Sequence, residues 1–337
     1  MRIGIPRALF FYYLYPQWKA FFEELDWEIV SSPDTARAIA DEGVSRAVNE
    51  ACYPVKIYYG HVVYLARQNV DWIFVPRLIS IEPKTYICPK FMGLPDMIRS
   101  QIDHLPPLMD ICIDVCRNKK GLKSELHKWA RKLGESPKKW ERAWNGSVKA
   151  LEEWRGIERC GFTAKEALSI YEGGMEPQVQ GHDLKIGVIG HCYSINDDQV
   201  NMGMISRLRE MGAAAITPEM RDPNKMAAAL TQLPKRMFWT AGKNAAGAAL
   251  DMDRDDEIDG IIYLACFGCG PDSITARTLE YRVKNKPFMM LTVDEHSGEA
   301  GIVTRLEAFC DMLRRRRQLE SDLSPHGQCL HSATVSV

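Results

Sequence analysis

The chain has 337 residues, a formal net charge of −1, 46% apolar residues and 26% charged residues. At roughly 100 to 200 residues per domain, that length suits about two domains, and 11 Phe, 12 Tyr and 8 Trp exclude wholesale disorder. The near-neutral balance excludes a general nucleic-acid binder, which carries a basic face, and no apolar run reaches the roughly 18 residues of a membrane span.

The opening stretch MRIGIPRALFFYYLYPQW has no small-residue cleavage site and merges into amphipathic structure, so it reads as mature protein. Ten cysteines are the unusual number. Without a secretion signal the expected compartment is the reducing cytoplasm, where disulfide frameworks are rare. Ten thiols in such a chain point to a metal or redox site, with the remainder as small core residues.

In chain order, residues 2–6 are short and β-prone, and Leu14, Trp18, Phe21, Phe22 and Leu25 recur at helical spacing. Residues 28–30 predict a second strand and an Ala-rich helix follows from Thr35. Cys52-Tyr53-Pro54 interrupts it, with Pro54 well placed in the first turn of a helix over 55–68. Residues 71–75 form a buried-strand run bounded by Pro76. A second unit repeats this order: KIGVIG at 185–190, a helix stopping near Gly212, a strand at 214–217, a strand at 259–264 and a last strand at 288–293. Between the units, 106–182 reads as helical, with charged helices at 122–133 and 138–155 carrying Trp129, Trp140, Trp144 and Trp154 on faces that pack against the sheets. The alternation predicts an α/β fold of two similar Rossmann-like parallel-sheet domains with a helical insert. The expected boundaries are a first domain at 1–105, insert and linker at 106–182, a second domain at 183–315 and a flexible tail at 316–337.

Three segments hold cysteines beside Pro or Gly: Ala51-Cys52-Tyr53-Pro54, Ile87-Cys88-Pro89-Lys90, and the run from Cys266 through Gly268, Cys269, Gly270 and Pro271 to Asp272. Pro and Gly leave a fixed, uncrowded backbone around the sulfur. Cys52 and Cys269 also precede helix starts, where exposed N–H groups favour a thiolate. Cys88 and the Cys266/Cys269 loop follow strands, and in a doubly wound sheet ligands gather at the strands' carboxyl ends. Only one CxxC is present, whereas structural zinc sites usually have two tight pairs; iron–sulfur clusters accept dispersed thiolates. Spacing alone leaves iron–sulfur, zinc and no metal open. Cys112 and Cys116 sit in a helix-like apolar run and read as core residues; Cys160, Cys310 and Cys329 carry no motif, and Cys192 reads as a loop thiol.

The stretches MRIGIPRALFFYYLYPQWKAFFEEL, ACYPVKIYYGH, DWIFVPRL, CPKFMGLPDMIR, FGCGPDS and VDEHSGEAGIVTRLEAF resemble the acyl-CoA dehydratase activase-related proteins of anaerobes. Those proteins are similar to 2-hydroxyacyl-CoA dehydratase and benzoyl-CoA reductase subunits and to double-cubane cluster proteins. The resemblance implies two α/β domains that hold an iron–sulfur cluster, a 4Fe-4S cubane or a sulfide-bridged double cubane, between them. Its ligands here would be Cys52, Cys88 and Cys269, with Cys266 a neighbour and fourth ligand only by proximity. The chain has no G-x-x-x-x-G-K-[ST] phosphate loop. On that basis the resemblance makes it the electron recipient of an ATP-dependent activase or reductase partner. It would use those electrons for reductive or radical chemistry on a small-molecule or acyl-CoA substrate, as a homodimer. A non-catalytic cluster or electron carrier, and a zinc- or ligand-binding module, are the alternatives.

Other groups have a bland reading beside the functional one. Glu295, His296 and Glu299 follow the last strand and are candidate proton donors or acceptors; helix capping by Ser297 with acids in the first turn is the alternative. Lys56 and His61 lie beyond Cys52, and His191 and Tyr193 follow a strand end.

Overall fold

The computed structural model describes residues 1–117, 121–177 and 181–322, and Cys329 lies outside them. The first unit contains β1 (Arg2–Ile5), β2 (Glu28–Ser31), β3 (Trp72–Phe74), β4 (Arg77–Ser80), β5 (Leu108–Met109) and β6 (Cys112–Asp114). A parallel sheet runs β2-β1-β3-β5, and β4 pairs with β6 in parallel beyond it. The second unit contains β7 (Leu184–Gly190), β8 (Ala213–Ile216), β9 (Gly260–Cys266) and β10 (Phe288–Val293), ordered β10-β9-β7-β8, again all parallel. Each unit thus places its first strand between its second and its third. The chain turns first one way and then the other, leaving a switch point at β1/β3 and at β7/β9. The central strand β9, GIIYLAC, is buried along its whole length, as a strand covered on both faces must be.

Two expectations change. Residues 108–116 are not helical but hold β5 and β6. Ile111, Ile113 and Val115 alternate with Asp110, Cys112 and Asp114 at the period of a strand, and Pro106-Pro107 keeps the chain extended as it enters. The last helix, Glu299–Asp322, passes the 315 boundary. Arg314 bonds Asp183 at 2.6 Å and Arg317 reaches Asp259 at 3.0 Å, so the Arg run fastens that helix to the second unit.

The helices Gly121–Lys132, Pro137–Arg159 and Ala164–Tyr171 lie between the units in sequence and dock through their tryptophans. Trp140 and Trp154 are fully buried, and Trp140 meets Phe21 and Trp27 edge-on while its indole N–H donates to Glu135 at 2.7 Å. One apolar core joins both sheets, with Ile3 and Phe74 from one and Val188 and Leu264 from the other. A second, alanine-rich core lies between β9 and the helix Thr240–Met252.

Helix Arg37–Arg46 crosses helix Tyr53–Ala66 at backbone contact. A Cβ on Gly60 would stand 1.9 Å from the Ile39 carbonyl oxygen, and one on Gly43 would stand 2.1 Å from that of Lys56. A polar chain also bridges the units: His61 Nδ1 lies 2.8 Å from Ser32 Oγ, His61 Nε2 lies 2.9 Å from Thr35 Oγ1, and Thr35 donates to Asp197 at 2.5 Å. Burial, aided by Arg7, pushes the His61 pKa down to about 3, and burial raises that of Asp197 to about 6.

Two outcomes follow from this packing. Gly60→Ala should lower stability by about 1–3 kcal/mol in urea unfolding, because overpacking forces the helices apart; an unchanged midpoint would contradict the crossing. His61 is neutral when folded but takes a proton near pH 6.5 when unfolded. Its contribution to stability is therefore present above that pH and is lost as pH falls toward 3. Ring NMR shifts should show no protonation of His61 between pH 7 and 4.5, and His61→Gln should flatten the loss of stability over that interval; titration of His61 near its ordinary value would refute the account.

Candidate metal centre

Three of the cysteines occupy the same structural position. Cys52 is the residue immediately before helix Tyr53–Ala66, Cys88 before helix Pro89–Gln101, and Cys269 before helix Gly270–Arg282. In each case a proline lies in the first helical turn, where its missing N–H costs nothing. The helices after Cys88 and Cys269 each follow a parallel strand, whereas the helix after Cys52 follows the helix Arg37–Arg46. Lys90 ties the loops together, its Nζ donating to the Glu50 carbonyl at 2.9 Å and the Gly268 carbonyl at 3.4 Å.

The sulfurs are close enough for their charges to interact: Cys52 with Cys88, and Cys269 with both Cys52 and Cys266. Cys52, Cys266 and Cys269 are buried and Cys88 is partly so. Burial pushes all four thiols up. Backbone N–H groups of Val55, Lys90 and Asp272 oppose it at Cys52, Cys88 and Cys269 respectively. Those are first-turn amides, the donors that a helix leaves free.

Two further side chains reach the same place. His191 follows β7 and Asp272 stands in the first turn of the Gly270 helix, 2% and 0% exposed. His191, Cys269 and Asp272 offer ligand atoms that all lie within 4.8 Å of one another. Tyr193 Oη lies 2.6 Å from His191 Nδ1, which leaves Nε2 directed at Asp272 Oδ1, 3.3 Å away and without a well-aligned hydrogen bond. Asp272 accepts from the Tyr263 hydroxyl at 2.8 Å and the Cys266 N–H at 3.2 Å. Cys266 Sγ is 3.3 Å from Ser194 Oγ.

The remaining candidates separate. Lys56, one turn beyond Cys52, pairs with Glu295 across the units, Nζ to Oε1 at 2.5 Å. Burial pushes the Glu295 carboxyl up, but Lys56 outweighs it and holds the group below its ordinary range. His296 is solvent-exposed with its Nε2 4.0 Å from Glu295 Oε1, and Glu299 is bound to Arg207 at 2.6 Å. Ser297 closes a turn on Asp294 ahead of the helix. His61 belongs to the bridge to Asp197. Cys116 donates to the Thr85 carbonyl at 3.2 Å, Cys310 is core, Cys160 is exposed, and Cys192 opens a short helix. Sequence reading passed over Asp272, although an acid just after Cys-Gly-Pro at a helix start was the available signal. Among the described residues, no helix is long and apolar enough to cross a membrane.

No curated protein matches this chain. Among solved structures, the solute-binding protein of an ABC transporter from Burkholderia multivorans is 10% identical, over 86% of this chain and 95% of its own, with a TM-score of 0.20. That similarity is too slight to inform the site. Residues 2–220 match the family described as the CoA enzyme activase uncharacterised domain. This corrects the expected role: the family is that of an activator of CoA enzymes, so the chain is not the recipient that spends electrons from an ATP-dependent activase on a substrate. The partner its family points to is accordingly a CoA-dependent enzyme. With residues 2–220 matched, the chain belongs to the CoA enzyme activase domain family.

Proposed function

We propose that this chain is a non-catalytic iron–sulfur protein on the activating side of a CoA-dependent enzyme of the dehydratase type, holding its cluster through Cys52, Cys88 and Cys269. The observation that carries this reading is the placement of those three cysteines at the starts of three converging helices. The donor set fits the group: soft thiolates, free first-turn amides that offset the negative charge of a cluster, and a buried surround that excludes water. A cubane bound there would supply one-electron transfer. Cys52, Cys88 and Cys269 would bind it, Lys90 would hold the loops in register, and Tyr193, whose surroundings include all three sulfurs, would close the site from the second unit. The fourth position falls to Cys266, His191 or Asp272.

The triad of His191, Cys269 and Asp272 within 4.8 Å favours a second reading, a single zinc-like ion on nitrogen, sulfur and oxygen. Metal analysis after anaerobic purification separates the two. The cluster reading expects a brown protein with about four iron and about four sulfide per chain. Cys52→Ser, Cys88→Ser and Cys269→Ser should each remove the visible absorbance, and Cys112→Ser should retain it. A colourless chain with one zinc, lost in His191→Ala, would establish the second reading instead. A chain without bound metal would overturn both.

A further inference from the structure

The described part of the molecule has a cavity unrelated to the cysteines. It measures about 970 Å³, within the range of small-molecule sites, and lies where the helix Phe11–Glu24, the helical insert and the second unit meet. Tyr13, Trp18, Trp144 and Leu151 make an aromatic and aliphatic wall. Two acidic residues line it from different elements: Glu158 from the helix Pro137–Arg159 and Glu219 from the short turn after β8.

Those carboxyls are out of balance with their surroundings. Glu158 is 2% exposed, and neither its Oε1 nor Glu219 Oε2 has a hydrogen-bond partner. Buried polar atoms are seldom left so, because an unpaired acceptor gives up its hydration with nothing in return. Burial raises both groups above the ordinary carboxylate range, and the Glu219 charge raises Glu158 further, while Arg155 opposes the rise at both and Arg159 at Glu158. The cations along the cavity are engaged elsewhere. The Arg155 guanidinium lies 4.8 Å over the Tyr13 ring, Arg221 is bound to Asp251 and Asp255, and Lys243 is bound to Glu82. Arg159 and Arg236 are exposed at the rim. The Trp18 indole N–H in the same lining is also unpaired, and among the described residues neither Glu158 nor Glu219 has an ion-pair partner.

We propose that this cavity is a binding site for an organic ammonium ion with an aromatic or apolar body, its nitrogen donating to Glu158 and Glu219 and its body resting against Tyr13, Trp18 and Trp144. An ammonium group offers the donors that both unpaired oxygens need. It compensates their charge, and it gains further from aromatic faces nearby. A carboxylate ligand would add a third negative group to the same desolvated space. The site is independent of the metal centre, so the two stand or fall separately.

The test uses the full chain and 2-phenylethylamine, followed by calorimetry and tryptophan fluorescence. Saturable binding is expected, with 3-phenylpropionate failing to compete. Glu158→Gln keeps the side-chain volume and should weaken binding about 10- to 100-fold, the value of a charged hydrogen bond. Glu219→Gln should weaken it in the same direction. If Glu158→Gln fails to fold, Glu219→Gln and the anion competition carry the test. Absence of saturable binding at millimolar amine, affinity in both Gln variants unchanged from that of the parent chain, or tighter binding of 3-phenylpropionate would overturn the proposal.

Discussion

Desolvation of sulfur is the constraint around which the rest of the structure is arranged. A thiol buried in apolar surroundings resists ionisation, and every thiol of the central group is pushed in that direction. The fold opposes this with helix starts. Parallel strands deliver their carboxyl ends to one edge, and each following helix points free N–H groups back at it. Cys88 and Cys269 stand at such starts, and Cys52 stands at the start of a helix that follows the helix Arg37–Arg46. The backbone crossing at Gly43 and Gly60 seats the Tyr53 helix that carries Cys52, and the Lys56–Glu295 pair fastens it to the second unit. The polar bridge through His61 and Asp197 does the same further along that helix.

Much of this architecture is legible in the residues. The strand runs at 2–6, 28–30, 185–190 and 288–293 announce themselves through short apolar stretches between turn signals, and the structure places strands at each. The stretch at 108–116 misled because an apolar run containing two cysteines four apart mimics a helix face. Its strict alternation of Ile and Val with polar residues carried the other period. The helical reading of the insert's tryptophans needed only amphipathic spacing. The pairing of Glu158 with Glu219, or of His191 with Asp272, has no counterpart in local sequence, because it depends on how separate elements meet.

The cysteine loops were legible for the same reason that the role was not. A loop of Cys with Pro or Gly before a helix is a local pattern, and local patterns speak to what a site can bind. Whether a chain delivers an electron or spends one depends on its partner and on the potential difference between them, neither of which is written in ligand spacing. The family match moved the chain to the activating side.

The central claim is that one metal cluster is held by three helix starts. Crystals grown without oxygen and measured at the iron absorption edge test it most directly. The expected result is a compact group of iron peaks at bonding distance, about 2.3 Å, from the sulfurs of Cys52, Cys88 and Cys269. No iron among those sulfurs, or a single non-iron ion seated on His191, Cys269 and Asp272, would contradict it.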